Sequence, residues 1–189
     1  MKRFLLVYLA VIVFHSQSTA QFVNVSLGVP ISQRIEQNGV SHKAKSYPNL
    51  DFTGTGFVGG GTGWFGWGVS INPYFLDISN LSDRNPESSK RFFCGLYTGP
   101  AVAIGRSKYC KPVMNLQIGY TFTNLFTSKP VSCGDFGAKA SLDLVIYEHF
   151  SVGFACRPFD LKIEDARDDS SVAAYTLKPS FEIRLGYVW

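Results

Sequence analysis

Six charged residues stand where buried ion chemistry is conceivable: Lys139, Asp143, Arg157, Lys178, Glu182 and Arg184. Within each segment their separations are even, and even separations share one face of a β-strand, where successive side chains alternate. Acid and base on facing walls can pair. An ion that stays buried without a partner is strongly destabilising. The expectation is that these six satisfy one another as a lumen charge network, with Glu182 meeting Lys178 or Arg184 and Asp143 meeting Arg157. A narrow polar path for small ions is the alternative.

Catalysis has less support. Past the first 20 residues the only histidines are His42 and His149, expected at opposite ends of the molecule. No strand sets a His beside a Ser and a carboxylate on one exposed face, as a lipid-cleaving triad would need. The chain therefore reads as a non-enzyme without cofactor, and a membrane enzyme acting on lipid is the weakest reading. Cys94, Cys110, Cys133 and Cys156 lie in no Cys-x-x-Cys or Cys/His spacing, so no metal is expected. Cys110 and Cys156 are expected at opposite strand ends and unjoined. Cys94 and Cys133, both near external ends, are the better candidates for a bridge. Residues 33–49 carry Arg34, His42, Lys43 and Lys45, whereas 159–174 carry Asp160, Glu164, Asp165, Asp168 and Asp169. These are ordinary solvated loops or a surface for an external partner, and their spacing matches no EF-hand.

The elements that must position these residues are strands. Leu177, Pro179, Phe181, Ile183, Leu185, Tyr187 and Trp189 alternate with polar or small residues through the last segment. A helix would spread them around its circumference, whereas a strand puts them on one face. The same alternation appears at 23–32, 65–72, 96–105, 114–122, 136–146 and 150–157. Glycines blur it at 50–60, the least legible strand. Between the strands, long connections (33–49, 77–90, 123–133, 159–174) alternate with tight turns near 61–63, 106–109 and 147–149. Outer-membrane barrels have this asymmetry.

Composition decides which face points inward. A polar face in water should be rich in Lys, Glu, Asp and Arg, yet only 17% of the chain is charged and 15% is aromatic. The non-apolar face is mostly Gly, Ser, Ala, Thr and Asn, which suits the narrow interior of an eight-stranded barrel better than a lipocalin-like soluble one. Trp64, Trp67, Tyr147, Phe150, Tyr187 and Trp189 fall on the turn side as an aromatic girdle. The fold expected is all-β, a closed up-and-down antiparallel eight-stranded transmembrane β-barrel.

At the N-terminus, Lys2 and Arg3 precede an apolar run from Phe4 to Phe14 and the small residues Ser18, Thr19 and Ala20. This is the pattern of a secretory signal peptide, too short to span a bilayer as a helix. Residues 1–20 are thus expected to be cleaved from a barrel domain of 21–189. Of the formal charge of +4, Lys2 and Arg3 carry two units, so the barrel is nearly neutral and no nucleic-acid binder.

With alternation, loop asymmetry and the final strand Phe181-Glu182-Ile183-Arg184-Leu185-Gly186-Tyr187-Val188-Trp189 in view, the chain resembles the small bacterial outer-membrane β-barrels typified by the OmpA transmembrane domain and OmpX. The resemblance implies outer-membrane lipid around the barrel and a C-terminal strand read by the barrel-assembly machinery, with Trp189 where a terminal Phe is commoner. No peptidoglycan-binding domain follows, so a cell-wall tether is not implied. The resemblance leaves activity open between a structural or surface-interaction role and a narrow pore.

Overall fold

The computed structural model describes residues 22–58, 64–77, 90–105, 107, 109–123, 132–166 and 172–189. The expected signal segment, Asp168 and Asp169 fall outside them. Eight strands form the barrel: β1 (Phe22–Ser32), β5 (Asn49–Phe57), β6 (Phe65–Asp77), β7 (Lys90–Ala103), β8 (Cys110–Thr123), β9 (Ser132–Ile146), β10 (Phe150–Arg157) and β13 (Ser180–Val188). They pair antiparallel in the order β6-β5-β1-β13-β10-β9-β8-β7, and β7 pairs back onto β6 to close the ring. Closure removes every free edge, the condition for a sheet to survive in hydrocarbon.

The burial is inverted relative to a soluble barrel. On β13, Ser180, Glu182 and Arg184 are buried while Phe181, Ile183 and Leu185 are exposed. On β1, Asn24 and Ser26 are buried while Leu27 and Val29 are exposed. Polar side chains fill the inside and apolar ones face out, as lipid requires and water does not. β5 shares the rule: Asn49, Asp51, Thr53 and Thr55 point inward, and its outward positions are Leu50, Phe52, Gly54 and Gly56. Glycine at half of those outward positions is what blurs the alternation in the sequence.

Two of the four long connections are not loops. Residues 33–49 contain β2 (Arg34–Gln37), β3 (Val40–Lys43) and β4 (Lys45–Ser46), and 159–174 overlap β11 (Leu161–Ala166) and β12 (Val172–Leu177). β11, β12, β2 and β3 make a second four-stranded sheet at the outer end of the barrel. β2 and β3 are joined by Asn38 and Gly39, both at positive φ, the two-residue turn that matches strand twist. The last strand is also shorter than its pattern predicts. It breaks at Lys178–Pro179, where proline has no N–H to give a ladder. Leu177 therefore turns inward and is buried, not lipid-facing.

Of the expected inner-end turns, the one near 61–63 lies outside the described residues, and 147–149 is described in full. At 147–149, Tyr147 and Glu148 have φ of 51° and 64°, an uncomfortable choice of residues for a turn that favours Asn-Gly. Replacing Glu148 by Gly is expected to stabilise the barrel by about 1 kcal/mol, read as a higher urea midpoint in lipid with an unchanged slope.

Cys94, Cys110 and Cys156 are free thiols. Cys94 and Cys133, the better candidates if any bridge formed, are not joined, for a geometric reason. Cys94 and Cys133 align with Phe122 from opposite sides, so a whole strand separates them. Two inter-strand spacings come to about 9.6 Å, beyond the ~7 Å reach of a disulfide.

Candidate functional site

The barrel interior holds the chain's buried charge, organised around Asp51 on β5. The Lys139 ammonium, from β9, contacts Asp51 Oδ2. Arg184 Nη2, from β13, lies 3.3 Å from Asp51 Oδ1, and its Nη1 lies 3.5 Å from Asp143 Oδ2. Ser26 Oγ accepts from Arg184 Nε at 3.1 Å and from Nη2 at 2.9 Å. Thr53 Oγ1 donates to Asp51 at 2.7 Å. Asp51, Lys139, Asp143 and Arg184 are almost wholly excluded from solvent. Two carboxylates thus face two cations in a space that leaves no room for counter-ions. Glu182 joins from β13 by accepting from Asn49 Nδ2 at 2.5 Å. Beside that pair sits Gly28, where a Cβ would run into the Asn49 side chain and come within 3.2 Å of Glu182 Oε2.

Four of the six charged residues read from the sequence therefore share the lumen's middle: Lys139, Asp143, Glu182 and Arg184. Their partners differ from those expected, because Asp51 takes the central place. Arg157 does not reach Asp143. Its guanidinium lies over the Tyr74 ring, 4.5 Å from the centroid, and its Nε donates to Ser180 Oγ at 3.1 Å. Lys178 is not in the lumen at all. The break at Lys178–Pro179 carries it to the outer rim, where Nζ pairs with Glu36 at 2.7 Å and Asp160 at 2.8 Å. The bond to Asp160, followed by that to Glu36, raises the Lys178 ammonium above its ordinary value.

Apolar clusters bracket the charged band. Toward the inner end, Phe22, Phe57, Val113, Val145 and Val188 fill the bore with Ala101 and Ala103. Across the outer mouth, Ile35, Leu161, Tyr175 and Leu177 of the second sheet and its borders meet Tyr74, Leu76 and Phe93 of β6 and β7. The Tyr74 and Phe93 rings stack at 5.1 Å. Among the described residues the lumen is layered: apolar, then charged, then apolar. No group of three or more His, Cys, Asp or Glu placed to hold a metal occurs among the described residues.

Outside, Trp64, Trp67, Tyr187 and Trp189 are exposed at the turn end. Tyr187 packs edge-on to Trp189 at 4.8 Å and stacks with His149 at 5.7 Å. Trp67 Nε1 donates to Thr98 Oγ1 at 2.6 Å. Phe181, read with this group, stands exposed at the other end of β13. It belongs to a second belt level, with the Phe75–Phe92 and Tyr120–Phe136 pairs at 5.1 and 5.4 Å. Trp67 and Phe75 on β6 are about 26 Å apart along the strand, which a tilted strand spends in crossing an apolar band.

No protein-family model and no curated protein matches the sequence. Among solved structures, the chain is similar to Neisserial surface protein A at 12% identity, covering 88% of this chain and 94% of that one with a TM-score of 0.47. It is similar to OprG from Pseudomonas aeruginosa at 14% identity, covering 89% and 95%, with a TM-score of 0.47. It is also similar to Ail, the attachment invasion locus protein of Yersinia pestis, solved with the heparin analogue sucrose octasulfate, at 12% identity, covering 89% and 98%, with a TM-score of 0.47. At these identities the likeness concerns fold, and the chain's own closed strand ladder identifies it as an eight-stranded antiparallel barrel.

Proposed function

We propose that the protein is a bacterial outer-membrane β-barrel with a structural or surface-interaction role: a filled barrel held in lipid that presents its outer end to an external partner. The observation that carries this reading is the combination of a lipid-type exterior with a bore blocked at both ends by buried apolar side chains. A pore needs a continuous wet path, and eight strands enclose just enough space for side chains. The outer sheet stands beyond the barrel strands and displays Arg34, Ser41, Lys43 and Lys162 to solvent. The exposed girdle and the strand Phe181–Trp189 suit a chain that the barrel-assembly machinery inserts into outer-membrane lipid.

A narrow ion path is the competing reading, favoured by the charged middle band. Purified protein in planar bilayers is expected to give no steady conductance beyond rare small openings. Large, ion-selective steady currents would put the pore in first place.

A further inference from the structure

We infer that the outward face of the outer sheet, centred on Arg34 and Lys43, binds the phosphate headgroups of anionic lipid around the barrel's outer end; this rests on the placement in lipid proposed above. Strand alternation sorts the sheet's two faces. Ile35, Leu161, Tyr175 and Leu177 turn inward over the mouth and are buried. Arg34, Lys43 and Lys162 stand at the alternate positions and are exposed on the opposite face. The register then gathers cations from different strands. Arg34 pairs directly with Lys43. On its other side Lys178 donates its N–H to Arg34 O at 2.9 Å. Lys178, Arg34 and Lys43 therefore form one row across neighbouring strand paths, about 4.8 Å from each to the next. Lys162, Thr176, Glu36 and Ser41 form the row beside it.

The nearby acids are already engaged. Glu36 and Asp160 both pair with Lys178, at 2.7 and 2.8 Å. Glu164 stands farther out, opposite Ala174. Arg34 makes no ion pair among the described residues. Like charges directly opposed on two strands are destabilising, and an anion lying over them turns that repulsion into attraction. Arg34 offers a phosphate a planar fork of N–H donors, and Lys43 a compact charge next to it. The exposed Ser41 hydroxyl, one row away, adds a further donor.

The height of this face matches a headgroup layer. Arg34 lies three residues past Ile31, and Lys178 three before Phe181, both exposed on the apolar exterior. At ~3.3 Å per residue the row stands within about 10 Å of the last lipid-facing side chains. The polar layer beyond the hydrocarbon is about 5–7 Å thick on each side, and the long stems of Arg and Lys cover the difference. Lys45 extends the basic face along the rim. It pairs with Asp77 on β6, and its ammonium lies 5.9 Å from the centre of the Tyr47 ring. Tyr47 N–H in turn donates to Phe75 O at 3.4 Å, within the outer aromatic belt.

Lipid selectivity of the full-length barrel, reconstituted into mixed phosphatidylcholine–phosphatidylglycerol vesicles, tests this. Spin-labelled forms of the two lipids report how each partitions onto the protein surface. The wild type is expected to favour the phosphatidylglycerol label about fivefold at low salt, and strong salt to erase the preference. Combining Arg34→Gln with Lys43→Gln is expected to abolish it. Lys111→Gln removes the same kind of charge at the inner end, beside the buried Val145 and over the Phe57 ring, and should leave the preference intact. Replacing chloride by inorganic phosphate at equal ionic strength should also leave it intact. No preference in an inserted wild type, an equal loss in Lys111→Gln, or displacement by inorganic phosphate would each overturn the inference. Should the double variant fail to insert, Arg34→Gln alone decides, with an expected loss of about half the preference. A wild type that inserts into neither neutral nor mixed vesicles would instead overturn the placement in lipid itself.

Discussion

Asp51→Ala is expected to destabilise the barrel by about 3–5 kcal/mol, the cost of leaving buried charge without its partner. Asp51 is the one carboxylate that Lys139 and Arg184 share, and all three are buried. Removing it takes the shared partner from Lys139 and Arg184, leaving Asp143 and Glu182 as the buried carboxylates near them. The destabilisation therefore comes less from a lost attraction than from the desolvated charge that remains. Two controls separate these effects. Asp51→Asn keeps the shape and should cost nearly as much, whereas adding Lys139→Met to Asp51→Ala should restore a large part of the loss. Urea unfolding in lipid vesicles reads all three. A cost below about 1 kcal/mol for Asp51→Ala would mean that the lumen is wet enough to solvate its ions.

The second large effect belongs to the outside. Leu144→Arg, on the outward face of β9 opposite Val152 and Pro112 and two residues from the strand's inner end, is expected to cost about 1–2 kcal/mol, between the cost of an arginine at the bilayer midplane and at its interface. Val152 is exposed beside it, so nothing in the protein would shield the guanidinium from lipid. Folding into liposomes measures the cost. A neutral outcome would argue against lipid contact, because a water-facing strand accepts arginine without difficulty.

The barrel was legible because alternation over membrane-crossing lengths has few other physical explanations, and small polar residues opposite large apolar ones give its sense. The register of charges was less so. Even spacing identifies a shared face but not which strands curve toward each other, so it pairs Asp143 with Arg157 on the adjacent strand when Arg184 is within reach. Asp51 is hard to pick out because Gly54 and Gly56 hide the alternation of β5, although Asn49, Asp51, Thr53 and Thr55 are spaced to show it. Lys178 and Leu177 fall on the wrong side when the alternation is continued through Pro179, the residue that ends the strand. The outer sheet had a plain signal too. Asn38-Gly39 is the strongest short hairpin pair in the chain, but it lies among charged residues that look like a loop. The packing of Ile35, Leu161 and Leu177 against the far wall had no such signal, since it depends on the bend at the rim.

The ladder between β1 and β13 joins Asn24 to Val188 and continues as far as Ser32 with Phe181. Every other neighbouring pair in the ring is closer in sequence. Pairings with the greatest sequence separation are the slowest to form, so this seam is where barrel assembly ends. Before it closes, β1 and β13 each present an unpaired edge that hydrocarbon does not tolerate. The intermediate must therefore keep those edges out of the bilayer core or lend them to another strand.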